Sequence, residues 1–275
     1  MATGAVSPTD SYRRGAVDLP GVALHYVECG AGPHAVVLLH GYTDSWRSFR
    51  LTLPGLAPAC RCLALDQRGH GQSRYDGEDL SPAAFAGDVV ALLDRMGIAS
   101  ATLVGHSMGS FIARRVALAR PDRVERLVLV GSGLRVDNPA VREVEAGVAQ
   151  FDGSASRPFV EEFQSSCVFD LGSVPAPFFE ECVDASAGVP PRVWRAALAG
   201  MLDDDDRHLL GRIGQPTLVI GGREDGIFGR EEQEELARSL PEGRLLLYDR
   251  CGHSPHWEQP GRFVEDVLRF LRETA

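Results

Sequence analysis

The sequence lacks the long apolar runs and the basic excess that would bring a chain to a membrane or to nucleic acid. No apolar run among the 275 residues approaches the ~20 residues of a membrane-spanning helix. Residues 1–14 lack the apolar core of a secretory signal. The formal net charge is −10, which attracts neither nucleic acid nor anionic lipid. We therefore expect a cytoplasmic protein without nucleic-acid or membrane partners, and its oligomeric state stays open.

Sequence motifs for metal binding and for disulfide pairing are also absent. The six cysteines form no C-x-x-C pair and show no metal-ligand spacing. Cys60 and Cys62 lie two residues apart on a predicted strand, so their side chains point to the same face. These observations predict free, buried thiols and no metal site. The cysteines are Cys29, Cys60, Cys62, Cys167, Cys182 and Cys251.

Short apolar runs alternate with amphipathic helical patterns along most of the chain. Runs without polar alternation are typical of strands buried on both faces, and the intervening patterns have helical periodicity. This alternation predicts an α/β fold with a mostly parallel sheet and helices on both faces. The run at 22–27 alternates more and predicts an antiparallel strand near the edge. The other predicted strands cover 35–40, 62–66, 101–105, 126–131, 217–221 and 244–248.

One stretch interrupts this alternation. Residues 134–214 contain no strand-like run and show several helical patterns that begin with proline. We predict a helical cap at 134–214, inserted between two late strands of a core formed by 15–133 and 215–275. Residues 1–14 are predicted to be a disordered tail. The acidic run 203–206 is predicted to be the solvated start of a helix.

A candidate nucleophile lies between a predicted strand and a predicted helix. Gly105-His106-Ser107-Met108-Gly109 matches G-x-S-x-G in the context that this motif needs. The sharp turn brings together the residues two before and two after the serine, and only glycine relieves that crowding. The turn exposes the Ser107 hydroxyl and aims the first helical N–H groups at a substrate. Met108 N–H is therefore a predicted oxyanion donor. An ordinary glycine-rich turn is the alternative.

A serine nucleophile needs a base and a group that orients the base. His253 follows the last predicted strand and is the preferred base, whereas His256 is predicted to be structural. Asp225 follows the preceding strand, and one β-α-β crossover brings both residues to the same sheet edge. The chain order Ser, Asp, His fits the motif. Asp137 is the runner-up acid.

Two further loops lie at the same predicted edge. His40-Gly41-Tyr42 follows a buried strand, and Gly41 permits a tight turn that lets the Tyr42 N–H face the serine. Tyr42 N–H is therefore the second predicted oxyanion donor. The polar loop 66–71 is predicted to buttress this turn.

Taken together, these motifs resemble the α/β-hydrolase superfamily, and most of all its capped serine esterase and lipase-like branch. The resemblance runs from about residue 21 to residue 271. It implies an eight-stranded sheet, a helical cap and a cofactor-free hydrolytic site. It also implies that Ser107, Asp225 and His253 form the triad, with Tyr42 and Met108 as oxyanion donors. The motifs that carry it are 40–42, 66–73, 105–109, 222–225 and 252–258.

The resemblance implies a serine hydrolase that cleaves a small to medium hydrophobic carboxylic ester through an acyl-enzyme. Epoxide hydrolases and haloalkane dehalogenases of this fold use aspartate as the nucleophile, where this chain has Ser107. A lactonase or a C–C bond hydrolase with the same triad remains an alternative. A ligand-binding, receptor-like protein on a hydrolase scaffold is the alternative of another class.

Overall fold

One mixed sheet of eight strands forms the centre of the computed structural model, which describes residues 12–274. The strands are β1 (Arg13–Leu19), β2 (Val22–Cys29), β3 (His34–Leu39), β4 (Cys60–Leu65), β5 (Ala101–His106), β6 (Val124–Val130), β7 (Thr217–Gly222) and β8 (Gly243–Tyr248). Their spatial order is β1-β2-β4-β3-β5-β6-β7-β8. β2 is antiparallel to both of its neighbours, and the other pairs are parallel. The predicted mostly parallel, eight-stranded sheet is confirmed.

The first strand was not predicted. β1 begins at Arg13, so residues 13–14 belong to the sheet and not to the predicted disordered tail. Residues 1–11 of that tail lie outside the described residues. β1 pairs with β2 alone, and most of its side chains are exposed or half-buried. An edge strand of this kind has no buried apolar run for sequence analysis to detect.

Buried apolar side chains on both faces hold the central strands. In β3, Val37 and Leu39 enter one hydrophobic cluster, whereas Val36 and Leu38 enter the other. This alternation follows from the two-residue period of a strand. Burial of apolar surface stabilises such a core by about 25 cal/mol per Å².

Helices cover both faces of the sheet. α2 shows how they begin: the Ser81 hydroxyl accepts a hydrogen bond from the Ala84 N–H at 3.2 Å, and Pro82 follows as the first helical residue. The helices outside 134–214 are α1 (Leu53–Leu56), α2 (Pro82–Arg95), α3 (Met108–Ala119), α8 (Arg230–Ser239), α9 (Pro255–Glu258) and α10 (Pro260–Glu273).

Four helices lie between β6 and β7, in the segment predicted as a cap. We call residues 134–214 the insertion. Asn138 and Ser156 cap the first two of its helices through side-chain oxygens, and a 3₁₀ segment, Arg207–Arg212, follows the fourth. The four helices are α4 (Pro139–Ala149), α5 (Arg157–Ser166), α6 (Ala176–Ala187) and α7 (Pro191–Leu202). The division into a core and a cap domain stays a prediction.

The acidic run at 203–206 precedes the 3₁₀ segment Arg207–Arg212, but it is only partly solvated, because Asp203 and Asp205 are exposed and Asp206 is buried. It follows the end of α7, and Asp206 is buried against α3. The Arg114 guanidinium donates to both Asp206 carboxylate oxygens, at 2.8 and 3.0 Å, and to the Gly133 carbonyl at 2.8 Å. The prediction of a solvated position was wrong for Asp206, because a local sequence pattern cannot show that an arginine on an apolar helix needs a buried partner.

The cysteines behave as predicted. All six are free and buried. In the described part of the chain, no helix combines the length and apolar character that a membrane crossing needs.

Candidate active site

Ser107 lies at a strained turn between β5 and α3. Its backbone has φ 48° and ψ −117°, a conformation that a residue with a Cβ rarely adopts. Its N–H donates to the Val130 carbonyl at 2.9 Å. A Cβ on Gly105 would stand 2.2 Å from the Gly109 carbonyl oxygen, and one on Gly109 would stand 2.1 Å from that of Leu39. The predicted need for both glycines is confirmed.

The structure brings together the predicted base and the predicted acid from two different loops. His253 Nδ1 lies 3.0 Å from Asp225 Oδ2, although 28 residues separate them in the chain. Both side chains are buried, with 2% and 0% exposed. The other oxygen, Asp225 Oδ1, accepts from the N–H groups of Ile227 and Phe228, at 2.8 and 3.0 Å. The carboxylate is therefore fixed at both oxygens.

His253 packs beside the Ser107 turn. A Cβ on Gly131, the residue after β6, would stand 3.1 Å from His253 Nδ1. The His106 and His253 rings lie 5.1 Å apart, and both His253 and Ser107 line one cavity. The hydrogen bonds of residues 12–274 include none between Ser107 Oγ and His253 Nε2. Such bonds are often long in free enzymes and tighten when substrate binds.

Both residues predicted to supply oxyanion donors lie at this cavity. Tyr42 and Met108 line it, and the hydrogen bonds recorded for the described residues give neither backbone N–H a partner. A Cβ on Gly41 would stand 2.8 Å from His106 Nδ1, which explains the glycine before Tyr42. Two unpaired N–H groups beside a serine hydroxyl are able to stabilise a developing oxyanion.

The loop 66–71 supports the turn at His40-Gly41-Tyr42 as predicted. Gln67 donates its backbone N–H to His40 Nε2 at 3.0 Å and its side-chain amide to the His40 carbonyl at 2.8 Å. Burial lowers the pKa of His40 to about 4, so this imidazole stays neutral and accepts the hydrogen bond. The Asp66 carboxylate accepts the Trp46 N–H at 2.8 Å.

The two runner-up residues lie elsewhere. Burial lowers the pKa of His256 to about 3, and its Nε2 lies 3.1 Å from Ser48 Oγ. Asp137 is partly exposed and pairs with Arg142 at 2.7 Å. Neither residue lines the cavity with Ser107.

The cavity is predominantly apolar and has a volume of about 500 Å³. Two carboxylates from the insertion, Glu143 and Glu162, are exposed at its rim. No arginine is among the described lining residues, and the sequence contains no lysine. The insertion contributes much of the apolar lining, including Val141, Phe159, Phe163, Leu198 and Met201.

A buried acid that was not predicted from the sequence also lines this cavity. Asp44, two residues after Tyr42, is 4% exposed. Burial raises its pKa to about 7, although hydrogen bonds from Gln164 at 2.9 Å and Ser48 at 3.2 Å act to lower it. Its position in the His40 loop was the only sequence signal.

A second missed carboxylate holds the His253 loop. Glu258 Oε1 accepts the Gly252 N–H at 2.7 Å, next to His253. Its Oε2 accepts the N–H groups of Phe169 and Asp170 from the insertion, at 2.9 and 3.3 Å. Glu258 belongs to the motif at 252–258, but its role could not be derived from the motif.

Comparison with known proteins gives the family. Residues 34–260 match the family described as alpha/beta hydrolase fold. The chain belongs to the α/β-hydrolase family. Its fold and relatives indicate a hydrolase enzyme.

Individual relatives of this α/β-hydrolase have different activities. It is 30% identical to a 2-hydroxy-6-oxononadienedioate/2-hydroxy-6-oxononatrienedioate hydrolase of Pseudomonas putida, over 94% of each chain. It is 34% identical to bifunctional epoxide hydrolase 2 of Rattus norvegicus, over 97% of this chain and 56% of that protein. A thermophilic esterase from Thermogutta terrifontis superposes with a TM-score of 0.84 at 27% identity, covering 95% of this chain and 99% of the esterase.

Proposed function

We propose that this α/β-hydrolase is a serine esterase that cleaves small to medium, uncharged hydrophobic carboxylic esters through an acyl-enzyme. One observation carries the proposal. Ser107, at its strained turn, shares an apolar cavity with the Asp225-bound imidazole of His253 and with two unpaired backbone N–H groups. This grouping supports the assignment of these groups as nucleophile, base, orienter and oxyanion donors.

In the proposed mechanism, His253 Nε2 takes the proton of Ser107 Oγ while that oxygen attacks the ester carbonyl carbon. The carbonyl oxygen becomes an oxyanion and accepts hydrogen bonds from the Tyr42 and Met108 N–H groups. Collapse of the tetrahedral adduct expels the alcohol, which takes the proton from His253. Water then adds to the acyl-enzyme by the same route, and the carboxylic acid leaves. No cofactor or metal enters these steps.

The cavity supports an uncharged substrate. A volume of about 500 Å³ and a mainly apolar lining suit a small or medium hydrophobic ester. Phe159 and Phe163 supply aromatic surface from the insertion. We propose that the insertion acts as a cap and forms the side of the cavity remote from the sheet.

The charge of the lining supports an uncharged ester as substrate over the dioate named for the P. putida relative. A dioate carries two carboxylates, which need cationic partners when they are buried. The described lining offers no arginine; its acidic groups are Glu143 and Glu162 at the rim, and Asp44, whose raised pKa of about 7 keeps it protonated at lower pH. Bound carboxylates would be repelled and left unpaired. Opening of an uncharged lactone uses the same groups and remains the second candidate.

Matched substrates test this proposal. The 4-nitrophenyl ester of monomethyl succinate and the 4-nitrophenyl ester of succinic acid have similar shapes, but only the second carries a free carboxylate. We expect kcat/KM to be at least about tenfold higher for the uncharged ester, equivalent to about 1.4 kcal/mol in the barrier. Ser107→Ala is the blank. Full activity in Ser107→Ala, or a preference for the charged ester, would overturn the proposal.

A fluorophosphonate probe separates an enzyme from a receptor-like protein. The probe should label Ser107 in the folded protein, because labelling needs an activated hydroxyl. A series of acyl chain lengths and a panel of uncharged lactones, assayed in parallel, would then define the substrate class.

A further inference from the structure

The turn that carries the Tyr42 donor contains a strained residue. Residues Gly41 to Asp44 form a four-residue turn closed by the Asp44 N–H and the Gly41 carbonyl, at 3.3 Å. Thr43, the third residue, has φ 65°. This conformation favours glycine or asparagine and is a marked outlier for a β-branched residue. Contacts from outside the turn must therefore hold it.

Ser186 of α6 supplies those contacts. Its hydroxyl donates to the Thr43 carbonyl at 3.1 Å, and it lies 3.1 Å from Thr43 Oγ1. It also accepts a hydrogen bond from Gln164 Nε2 at 2.7 Å. A hydroxyl has one donor and two acceptor positions, so all of them are used if Thr43 Oγ1 donates. Thr43 is thus bound at its carbonyl and at its side chain.

Gln164 of α5 extends the network to the next residue of the turn. Its second N–H donates to Asp44 Oδ1 at 2.9 Å. Thr43, Asp44, Gln164 and Ser186 are all buried, with 0–4% of their surface exposed. A buried network in which every member has a partner rigidifies its surroundings.

The third contact comes from α7. The Tyr42 hydroxyl donates to the Trp194 carbonyl at 2.5 Å, and the two rings pack edge to face at 5.1 Å. Three helices of the insertion therefore bind three consecutive residues of the turn.

We infer that Ser186 and Gln164 are positioning residues for the oxyanion site. They hold Thr43 at its unfavourable φ so that the Tyr42 N–H faces the cavity. The insertion then has a role in transition-state stabilisation besides forming the cavity wall. This inference rests on the proposed function, because it needs Tyr42 N–H to be an oxyanion donor.

Ser186→Ala tests the inference. Without the hydroxyl, the Thr43 carbonyl and one Gln164 N–H lose their partner, and Thr43 is free to relax to negative φ. We expect kcat to fall about 10²-fold, the size of effect seen when an oxyanion donor is lost, while KM stays within about twofold. A boronic acid inhibitor, which forms a tetrahedral adduct with serine, should lose affinity by a similar factor. Ser173→Ala, an exposed serine of the insertion, is the matched control.

A second substitution distinguishes positioning from general loss of structure. Glycine adopts positive φ without strain. Thr43→Gly in the Ser186→Ala background should therefore restore kcat and boronate affinity to within about tenfold of wild type. If Ser186→Ala unfolds at the assay temperature, Gln164→Met, which keeps the side-chain length, should give the same selective loss of kcat.

The outcomes separate the two proposals. Titration with the boronic acid needs no substrate, so it tests the positioning role even if no ester is hydrolysed. An inactive wild type would refute only the ester proposal. Wild-type kcat and boronate affinity in Ser186→Ala, or no recovery on adding Thr43→Gly, would overturn the positioning role.

Discussion

Asp225 binds His253 with one carboxylate oxygen and its own loop with the other. Oδ2 lies 3.0 Å from His253 Nδ1, while Oδ1 accepts the N–H groups of Ile227 and Phe228. Rotation of the carboxylate is therefore blocked. Because a carboxylate only accepts hydrogen bonds, this arrangement holds the imidazole proton on Nδ1 and leaves the Nε2 lone pair available to Ser107.

Asp225→Asn tests the role of this fixed orientation. The asparagine oxygen is expected to accept the hydrogen bonds from the two loop N–H groups. The asparagine NH₂ group then faces His253 Nδ1. That donor favours the tautomer with the proton on Nε2, which cannot accept the Ser107 proton. We expect kcat/KM for an uncharged 4-nitrophenyl ester to fall by about 10³–10⁴-fold with little change in the melting temperature.

Asp137→Asn is the control for this prediction. Asp137 was the runner-up acid in the sequence, and it pairs with Arg142 at the surface. Its substitution should leave kcat/KM unchanged. Activity of Asp225→Asn within tenfold of wild type would contradict the assigned role of Asp225.

Glu258→Gln should loosen the His253 loop. The carboxylate accepts hydrogen bonds from backbone N–H groups at both of its oxygens, on Gly252 and on Phe169. A glutamine places an NH₂ group against one of these donors, which costs about 1–3 kcal/mol of stability. Urea unfolding measures that loss, and kcat should fall as well. The control is Glu265→Gln at an exposed position of α10, and equal stability of both variants would contradict the prediction.

The grouping of Ser107, Asp225 and His253, the proposed triad, was predictable because its signals are local. Ser107 and Asp225 follow buried strands, and His253 follows the half-buried edge strand β8. Parallel strands bring such residues to one sheet edge. Gly105 and Gly109 further marked the turn at Ser107, and the structure gives the steric reason for both.

The hydrogen-bond network that holds the turn at 41–44 was not predictable in this way. Asp44 and Gln164 lie 120 residues apart, and Thr43 and Ser186 lie 143 apart. Their contacts depend on how the insertion folds back over the sheet, which no local pattern specifies. The pairing of Arg114 with Asp206 across 92 residues was missed for the same reason.

Arg114→Met should show how much the pair of Arg114 and Asp206 contributes to stability. Arg114 and Asp206 have side chains that are 0% and 1% exposed. Removal of the guanidinium leaves a buried carboxylate without its partner, and we expect a loss of about 3–5 kcal/mol in the free energy of unfolding. The double variant with Asp206→Leu should recover part of this loss. Arg120→Met, which breaks an exposed pair with Asp122, is the control and should cost less than about 1 kcal/mol.

Asp44 should make stability depend on pH. Its pKa rises from 3.8 to about 7 on folding, because burial disfavours the charged carboxylate. Between these values the folded protein retains a proton that the unfolded chain has released. The contribution of Asp44 to stability therefore falls as pH rises from about 4 to 7.

Asp44→Asn should remove this dependence. The folded-state pKa of about 7 lies about two pH units above pH 5. Over each of these units the wild type loses about 1.4 kcal/mol of stability. Relative to wild type, the variant should therefore gain about 3 kcal/mol in its free energy of unfolding at pH 8 compared with pH 5. The contributions of other titrating groups are the same in both proteins and cancel in this comparison. Urea unfolding of the variant and the wild type at both pH values measures it. Asp152→Asn, at an exposed position of the insertion, should show no such gain. The same pH dependence in Asp44→Asn and wild type would mean that the Asp44 carboxyl is already ionised in the folded protein at pH 5.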